Sequence, residues 1–228
     1  MKIVILAAGM GSRLGSSDIP KPLTPLYADK SILGLQLDHI ARYTSLDHVL
    51  LVVGYRKEQI IQRFPAVAYV ENLFFSQENT SKSLLRAIRD LNEDVIWING
   101  DVVFHPSVIK SLLAQKRSCM VVNCAPTDRE EIKYRTDQKG RVLEVSKEVK
   151  LGEGEAVGLN YLTAQDLSLF KHNLDACKES DYFEKGLELC IQQGMSLWTL
   201  PIDAKYSMEI DFPQDLVNAR QLIQDWGI

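Results

Sequence analysis

Two cationic side chains accompany a glycine-rich segment near the start of the chain. Arg13 closes the string Leu6-Ala-Ala-Gly-Met-Gly-Ser-Arg, and Lys21 lies between two prolines a few residues later. Small residues let backbone N–H groups approach phosphate oxygens closely. An arginine can bind two phosphate oxygens at once, and a lysine adds a compact charge. The pattern therefore predicts a polyphosphate site. It is neither the P-loop GxxxxGK[ST] nor GxGxxG, because Leu14 stands at the third glycine position.

Two acidic segments supply candidate metal ligands. Asp101 follows a buried-strand pattern and Asn-Gly, and Glu209 and Asp211 stand two residues apart, which places them on one face if the segment is a strand. Magnesium takes few carboxylates and bridges them to phosphates. We predict Asp101 and Asp211 as its ligands. The alternative is N-capping of the helices that follow, a role for which Asp215 is better placed than Asp211.

A dense polar run, residues 71–84, precedes a predicted helix. Within it, Asn79 and Ser83 could hydrogen-bond a base edge or an acceptor. The alternative is that the run only supplies a helix cap, from Thr80 or Ser81.

The elements that position these residues alternate along the chain. Short apolar, β-branched runs predict strands buried on both faces, and helical periodicity follows most of them. The strands are predicted at 2–7, 48–53, 66–70, 94–98, 119–125, 134–135, 141–145, 157–162 and 197–201. The helices are predicted at 31–44, with Ser31 as N-cap, and at 57–64, 81–91, 106–116, 167–174, 183–193 and 216–226.

This order predicts an α/β fold: a Rossmann-like, mostly parallel mixed sheet flanked by helices, with a smaller mixed α/β lobe. A hairpin is predicted at residues 137–140. In such folds ligands gather at the carboxyl ends of the strands, where the first strand and Asp101 would meet. We predict a single domain over 1–228, with two parts, 1–117 and 118–228, the second of which includes the last helix.

The glycine-rich string, together with Pro20-Lys-Pro-Leu23, closely resembles the signature of the nucleoside-triphosphate transferases, which join NTPs to sugar phosphates and phospho-alcohols. The resemblance spans nearly the whole chain, and it implies that residues 1–117 bind the nucleotide and that the smaller lobe within residues 118–228 binds the acceptor. It implies catalytic roles for Arg13, Lys21 and Asp101, and Mg²⁺ as the cofactor. The nucleotide-binding residues that it implies, with Asn79 and Ser83 added, are Leu6, Ala7, Ala8, Gly9, Gly11, Ser12, Arg13, Lys21, Asn79, Ser83 and Gly100.

The stretch from Glu71 to Leu84 looks like the phosphocholine cytidylyltransferase branch of that family, which favours CTP and an acceptor such as phosphocholine. The same likeness implies an acceptor site in the segment Asp181-Tyr-Phe-Glu184. Its two aromatic rings and two carboxylates could hold an ammonium group by cation–π and charge contacts. The alternative is a core Phe183 beside a solvated acidic face. The branch's extra tryptophan is missing, and Tyr134 is its candidate substitute. The predicted acceptor-binding residues are Lys133, Lys147, Glu155, Tyr182 and Glu184.

Composition excludes several other classes. The 228 residues are 46% hydrophobic and 25% charged, with a net charge of −4, which is typical of a globular protein without a general affinity for nucleic acid or membranes. The four cysteines lack zinc-ligand spacing, and we expect buried or incidental thiols in a cytoplasmic protein. The four histidines are scattered, so we expect surface or helix-facing positions and no catalytic triad. The expected partners are an NTP and a phosphate monoester, and the oligomeric state stays open, a homodimer included.

Three alternatives remain beside the cytidylyltransferase. A sugar-1-phosphate nucleotidylyltransferase would use UTP, GTP or dTTP. A catalytically silent regulatory subunit of the same fold would tend to lose the cations or aspartates that this chain keeps. A metal-dependent glycosyltransferase is expected to carry an Asp-x-Asp pair at the end of a strand. At the corresponding place, residues 99–103, this sequence has only Asp101.

Overall fold

In the computed structural model, which describes residues 1–15, 18–127 and 131–227 but not the side chain of Ser12, helices flank one large sheet. The strands are β1 (Lys2–Ala7), β2 (Pro25–Tyr27), β3 (Lys30–Ser31), β4 (Val49–Val53), β5 (Ala68–Glu71), β6 (Val95–Asn99), β7 (Val102–Phe104), β8 (Cys119–Asn123), β9 (Lys133–Thr136), β10 (Val142–Ser146), β11 (Glu155–Leu162), β12 (Trp198–Pro201) and β13 (Ser207–Glu209). The helices are α1 (Ile32–Ala41), α2 (Lys57–Arg63), α3 (Thr80–Ile88), α4 (Pro106–Leu113), α5 (Ala164–Ala176), α6 (Phe183–Gln192) and α7 (Pro213–Asp225).

The main sheet is parallel in its first half and mixed in its second. β1 lies between β4 and β6 and runs parallel to both, and β5 extends the parallel part beyond β4. β11 then pairs antiparallel with β6 and joins the later strands β8, β9, β10 and β12 to the same sheet. The predicted α/β fold is confirmed, and the second half extends the sheet of the first half.

Strand β1 is buried on both faces, as its continuous apolar pattern predicts. Because side chains alternate across a strand, Val4 and Leu6 face one core, while Ile3 and Ile5 face the other. The first core lies under α3, α5 and α6, and the second lies under α1 and α4. Helices on both faces therefore hold β1 and β6 rigidly, and their carboxyl ends carry the glycine-rich loop and Asp101.

A third, smaller core fixes the end of the chain beside that edge. Val103 of β7 packs with Ile210, Ala219 and Ile223, and β13 pairs antiparallel with β7. Ile210 also donates a backbone hydrogen bond to Asp101 O at 3.0 Å. This pairing carries Glu209 and Asp211 from the C-terminal segment to the end of β6.

The predicted elements are all present, with boundaries that differ by a few residues. Ser31 caps α1 as predicted, since its Oγ accepts from Gly34 N. The hairpin between β9 and β10 is also present, with Gly140 at a φ of 80°. Two short pairs were not predicted, β2 with β3 and β7 with β13.

The position of His39 decides between the two predicted environments of a histidine, the surface or a helix-facing site. His39 is buried rather than at the surface, because α1 carries it under Phe104, whose carbonyl lies 2.7 Å from Nδ1. Burial lowers the pKa of His39 to about 4, so the ring is neutral at pH 7. Three cysteines are buried, Cys124 is exposed, and all four are free thiols. Among the described helices, none has the length and apolar character needed to span a bilayer.

Trp97 gives the fold a direct test. It is fully buried in β6, stacked on Phe170 at 5.1 Å and edge-on to Phe183 at 5.5 Å between ring centroids. Trp97→Ala should lower the free energy of unfolding by roughly 3–5 kcal/mol in urea titrations, because it leaves a large cavity. Val217→Ala, at an exposed position of α7, should change it by less than about 0.5 kcal/mol. Similar losses in both variants would contradict this description of the core.

Candidate active site

The side chain of Lys21 lies at the centre of the site. Its Nζ donates to Asp101 Oδ2 at 2.8 Å and to Asp211 Oδ1 at 2.5 Å. Only 9% of Lys21 is exposed. Burial alone would lower the pKa of this ammonium, but the two aspartates outweigh it and the pKa is raised, so Lys21 stays charged.

The glycine-rich loop is shaped around this lysine. Gly11 has a φ of 60°, and a Cβ there would come within 2.4 Å of the Lys21 Cβ. A side chain at position 11 would therefore push Lys21 out of place. The exposed Arg13 lies at the rim, where its Nη1 donates to Asp211 Oδ2 at 2.8 Å and its guanidinium lies 5.9 Å from the centre of the Phe212 ring. The two predicted cations thus meet at one carboxylate.

Three carboxylates form the acidic side of the site. One oxygen from each of Asp101, Glu209 and Asp211 can be chosen so that all lie within 4.8 Å of one another. Glu209 was not among the predicted ligands, although its position two residues before Asp211 was the available signal. Its pKa is raised well above the ordinary range, first because surrounding protein displaces water and then because Asp101 and Asp211 repel its charge. The residue as a whole is nevertheless exposed, so a ligand can reach it.

The donor chemistry fits magnesium. All three groups offer carboxylate oxygens, and Asp101 Oδ1 is buried without a hydrogen-bond partner in the described part of the chain. The capping alternatives do not hold, because His105 caps α4 and Asp215 accepts from Asp211 N and Phe212 N ahead of α7. Neither Asp101 nor Asp211 serves as a cap. Lys21 and Arg13 bind the other Asp101 oxygen and both Asp211 oxygens, and a metal ion at these carboxylates would compete with those contacts.

A recess between the end of β1 and the start of α3 gathers five of the eleven predicted nucleotide-binding residues. It is lined by Leu6, Ala8, Gly9, Phe75, Glu78, Asn79, Thr80 and Ser83. A Cβ at Gly9 would meet nothing within 4 Å, so the loop leaves open space for a ligand there. Gly100 packs against the backbone of β1, where a Cβ would lie 2.5 Å from Leu6 O. A larger cavity of about 300 Å³, between α1 and the end of α2, contains none of these groups.

The side chains of that predicted set differ in their contacts, within the recess and outside it. The Ala7 side chain packs in the core on the opposite face of the sheet, so only its backbone faces the site. Asn79, rather than Thr80 or Ser81, caps α3, because its Oδ1 accepts from Thr80 N at 2.8 Å. The Ser83 hydroxyl is buried and accepts from Asn72 Nδ2 at 3.0 Å. The Ser12 side chain lies outside the described part.

The predicted acceptor residues fall into two groups. Lys147 Nζ lies 5.1 Å from the centre of the Tyr182 ring, and its charge also acts on Glu184. Lys133 and Glu155 face each other across β9 and β11, and Glu155 Oε2 accepts from Asn123 Nδ2 at 3.0 Å. Phe183 is a core residue, as the alternative reading held, but Glu184 is buried rather than solvated.

Tyr134 cannot take the place of the missing tryptophan. It is 3% exposed, packs in the first core and donates from its hydroxyl to Asn123 O at 3.3 Å. Its ring therefore supports β9 from below and offers no face to a ligand. Lys147, Tyr182 and Glu184 form the acceptor cluster, and within it Tyr182, at 39% exposure, offers the aromatic ring that a ligand can reach.

Hydrogen bonds join the nucleotide recess to the acceptor cluster. Asn79 N donates to Glu179 O at 2.7 Å, Ser81 N to Asp181 O at 3.3 Å, and Phe183 N to Thr80 Oγ1 at 3.1 Å. The start of α3 and the segment before α6 thus form one continuous wall. A nucleotide and an acceptor bound on either side would share that wall.

Glu184 makes this cluster sensitive to pH. Burial raises the pKa of its carboxyl from 4.5 to about 7, and one of its oxygens has no hydrogen-bond partner in the described chain. Between these two values the folded protein holds a proton that the unfolded chain releases, so stability should fall as pH rises. Above pH 7 the free energy of unfolding of Glu184→Gln should exceed that of the wild type by up to roughly 3 kcal/mol, so the variant should unfold at a higher urea concentration. The two proteins should have similar stability near pH 4.

Urea titrations at pH 4.5, 6 and 8 measure this difference, with Glu188→Gln on the same helix as control. Glu188 is partly exposed and paired with Lys185, so its replacement removes a carboxyl from the same helix without removing a buried one. A constant difference between Glu184→Gln and the wild type across this range would disprove the raised pKa.

Several known proteins resemble this chain in sequence or in fold. The chain is 26% identical over 230 residues to the 2-aminoethylphosphonate cytidylyltransferase of Lancefieldella rimae, covering 93% of this chain and 89% of that protein. It is 38% identical over 134 residues to the CMP-5'-(3-aminopropyl)phosphonate synthase of Streptomyces rubellomurinus, covering 55% of this chain but 21% of that protein. Several other curated relatives are likewise matched over only about a quarter of their length.

Among solved structures, the CTP:phosphocholine cytidylyltransferase of Streptococcus pneumoniae superposes with a TM-score of 0.82 at 18% identity, over 97% of this chain and 98% of the other. That likeness supports the fold. The family model for the MobA-like NTP transferase domain matches residues 3–177, which include the glycine-rich loop, Lys21 and Asp101. The relatives are nucleotidylyltransferases, cytidylyltransferases among them, and the chain belongs to the MobA-like NTP transferase family.

Proposed function

We propose that the protein is a magnesium-dependent cytidylyltransferase, which joins the CMP part of CTP to a small amine-bearing phosphate or phosphonate. The convergence of Arg13, Lys21, Asp101 and Asp211 beside the glycine-rich loop carries this proposal. Two cations beside two carboxylates suit a nucleoside triphosphate with its metal ion. The choice of CTP is supported by the names of the relatives and by the resemblance in residues 71–84.

In the proposed reaction an acceptor oxygen attacks the α-phosphorus of CTP. A new P–O bond forms, the bond to the bridging oxygen of the β-phosphate breaks, and pyrophosphate leaves with that electron pair. The acceptor oxygen is already ionised near pH 7, so the reaction needs no general base. Catalysis then consists of orienting the groups and stabilising the charge that develops on them.

This chain's residues divide that work. When bound, Mg²⁺ supplies Lewis-acid charge to the phosphate oxygens, and Asp101 and Asp211, with Glu209 beside them, would hold it. Lys21 and Arg13 would hold the triphosphate and the charge that passes to pyrophosphate. Gly9 and Gly11 let the backbone approach the phosphates, and the start of α3 closes the side of the nucleotide.

On the acceptor side, the cluster favours a primary amine over a quaternary one. A quaternary ammonium donates no hydrogen bonds and depends on aromatic faces, of which the cluster exposes that of Tyr182. A primary ammonium can donate hydrogen bonds to polar groups, and the names of two relatives specify aminoalkyl phosphonates. We therefore favour a short aminoalkyl phosphonate or phosphate over phosphocholine.

A pyrophosphate-release screen tests the function. CTP, UTP, GTP and dTTP are each combined with 2-aminoethylphosphonate, phosphoethanolamine, phosphocholine, polyol phosphates and sugar-1-phosphates, with Mg²⁺ or with EDTA. We expect release with CTP and a primary-amine acceptor, and none with EDTA. Turnover of UTP or dTTP with a sugar-1-phosphate would instead establish the sugar-nucleotide alternative. No turnover with any pair would favour the silent subunit.

Lys21 should be essential to that turnover. Lys21→Ala should reduce kcat/KM for CTP by at least ~100-fold, the order seen when a preorganised charge-stabilising donor is removed. Lys21→Arg should rescue it poorly, since a guanidinium does not fit the place between Gly11 and the two aspartates. The control is Lys30→Ala, which removes a partly exposed lysine paired with Asp38 outside the site. A loss under tenfold in a folded Lys21→Ala protein would rule out this role.

A further inference from the structure

Helix α1 places one polar side chain inside the protein next to the Asp101 turn. Gln36 is 1% exposed, although its neighbours Leu33, Leu37 and Ile40 fill the second core. A buried amide needs partners, since an unpaired donor loses its hydrogen bonds to water. Gln36 Nε2 has two partners, Asn99 O at 2.8 Å and Val102 O at 2.7 Å.

These two carbonyls stand on either side of Gly100 and Asp101. Asn99 is the last residue of β6, and Val102 is the first of β7. The residues between them are fixed from other directions, because Gly100 N donates to Leu6 O and Asp101 O accepts from Ile210 N, each at 3.0 Å. Gln36 thus donates the hydrogen bonds at both ends of the turn. The hydrogen bonds to Gly100 and Asp101 within the turn come from β1 and from the C-terminal segment.

The contacts determine which way the Gln36 amide points. Both partners are carbonyl oxygens, so only the NH₂ group can face them. Its Oε1 is buried without a partner in the described part of the chain, which is a cost that a purely apolar residue at position 36 would avoid. An apolar residue would, however, leave the Asn99 and Val102 carbonyls without these donors. The polar side chain is therefore matched to the turn rather than to the core around it.

We propose that Gln36 is a positioning residue for the active site: by holding the carbonyls on both sides of Gly100-Asp101, it sets the direction in which the Asp101 carboxylate meets a metal–nucleotide complex. The inference rests on the proposed function, since it concerns the same metal site. It assigns to α1 a role in metal binding, although the hydrogen bonds of Gln36 go to two backbone carbonyls and not to a carboxylate of the site.

Binding of Mn²⁺ in the presence of the unreactive analogue α,β-methylene-CTP tests the proposal, with free Mn²⁺ counted by electron paramagnetic resonance. Groups that orient a metal ligand typically contribute 10–100-fold to metal affinity. Gln36→Leu should therefore weaken Mn²⁺ binding by at least about tenfold, and it should raise the half-saturating Mg²⁺ concentration in turnover by a similar factor. The KM for the acceptor at saturating Mg²⁺ should stay within about twofold of the wild-type value.

Asn173→Leu is the matched control. Asn173 is a buried amide of α5 whose Nδ2 donates to Leu169 O at 3.1 Å, in contact with Gln193 and away from the acid cluster. It should lose stability in urea without a change in Mn²⁺ affinity. Gln36→Met, which retains the length of the side chain, is the second test variant, and circular dichroism confirms that each protein is folded.

The outcomes separate the two proposals. Failure of the wild type to bind Mn²⁺ with the analogue would overturn the proposed function itself. Wild-type Mn²⁺ affinity in folded Gln36→Leu or Gln36→Met would overturn the positioning role alone. Equal weakening in Asn173→Leu, or failure of both Gln36 variants to fold while Asn173→Leu folds, would show that Gln36 serves general stability, which also overturns it.

Discussion

The ammonium of Lys21, held between two aspartates, is the interaction on which the arrangement of the site depends. Its partners Asp101 and Asp211 stand 80 and 190 positions away in sequence, so a single buried charge joins three distant segments. Removing one partner of such a group leaves the other charges poorly solvated and unpaired, which costs far more than a surface ion pair contributes. The loop after β1, the end of β6 and the segment after β13 are therefore constrained to meet at one point.

The same interaction explains how three carboxylates can stand together. Asp101, Glu209 and Asp211 repel one another, and the raised pKa of Glu209 records that repulsion after the effect of lost water. Lys21 and Arg13 offset part of it. A metal ion that binds the carboxylates would take over the neutralisation of their charge. Lys21 and Arg13 could then bind phosphate oxygens instead of the aspartates. The charges that hold the protein together without a ligand are thus the charges that the proposed reaction requires.

Local signals in the sequence were sufficient to predict the central strands of the sheet and the glycine-rich loop. Continuous β-branched runs predicted β1, β4 and β6, and a glycine-rich turn with Arg13 and Lys21 predicted the loop that they support. What could not be predicted depends on contacts between distant segments. The cap of α3 is Asn79 rather than its equally suitable neighbours, because the segment before α6 also binds this residue. Tyr134 looks like a ligand-facing aromatic in sequence, but its strand turns it into the core. Gln36 reads as a polar interruption in an apolar helix, since its partners lie 63 and 66 residues away.

The wall shared by the nucleotide recess and the acceptor cluster bears on how one fold can serve several acceptors. Its attachment to α3 uses mostly backbone groups and the two side chains of Asn79 and Thr80, so it does not depend on the residues that face the acceptor. Tyr182 and Lys147 can therefore change without disturbing the nucleotide side. The converse does not hold, because a shift at the start of α3 would move the segment carrying Tyr182 as well. Function in such a fold resides in a few exchangeable side chains on a rigid frame. Acceptor choice is thus the property that sequence likeness alone indicates least directly.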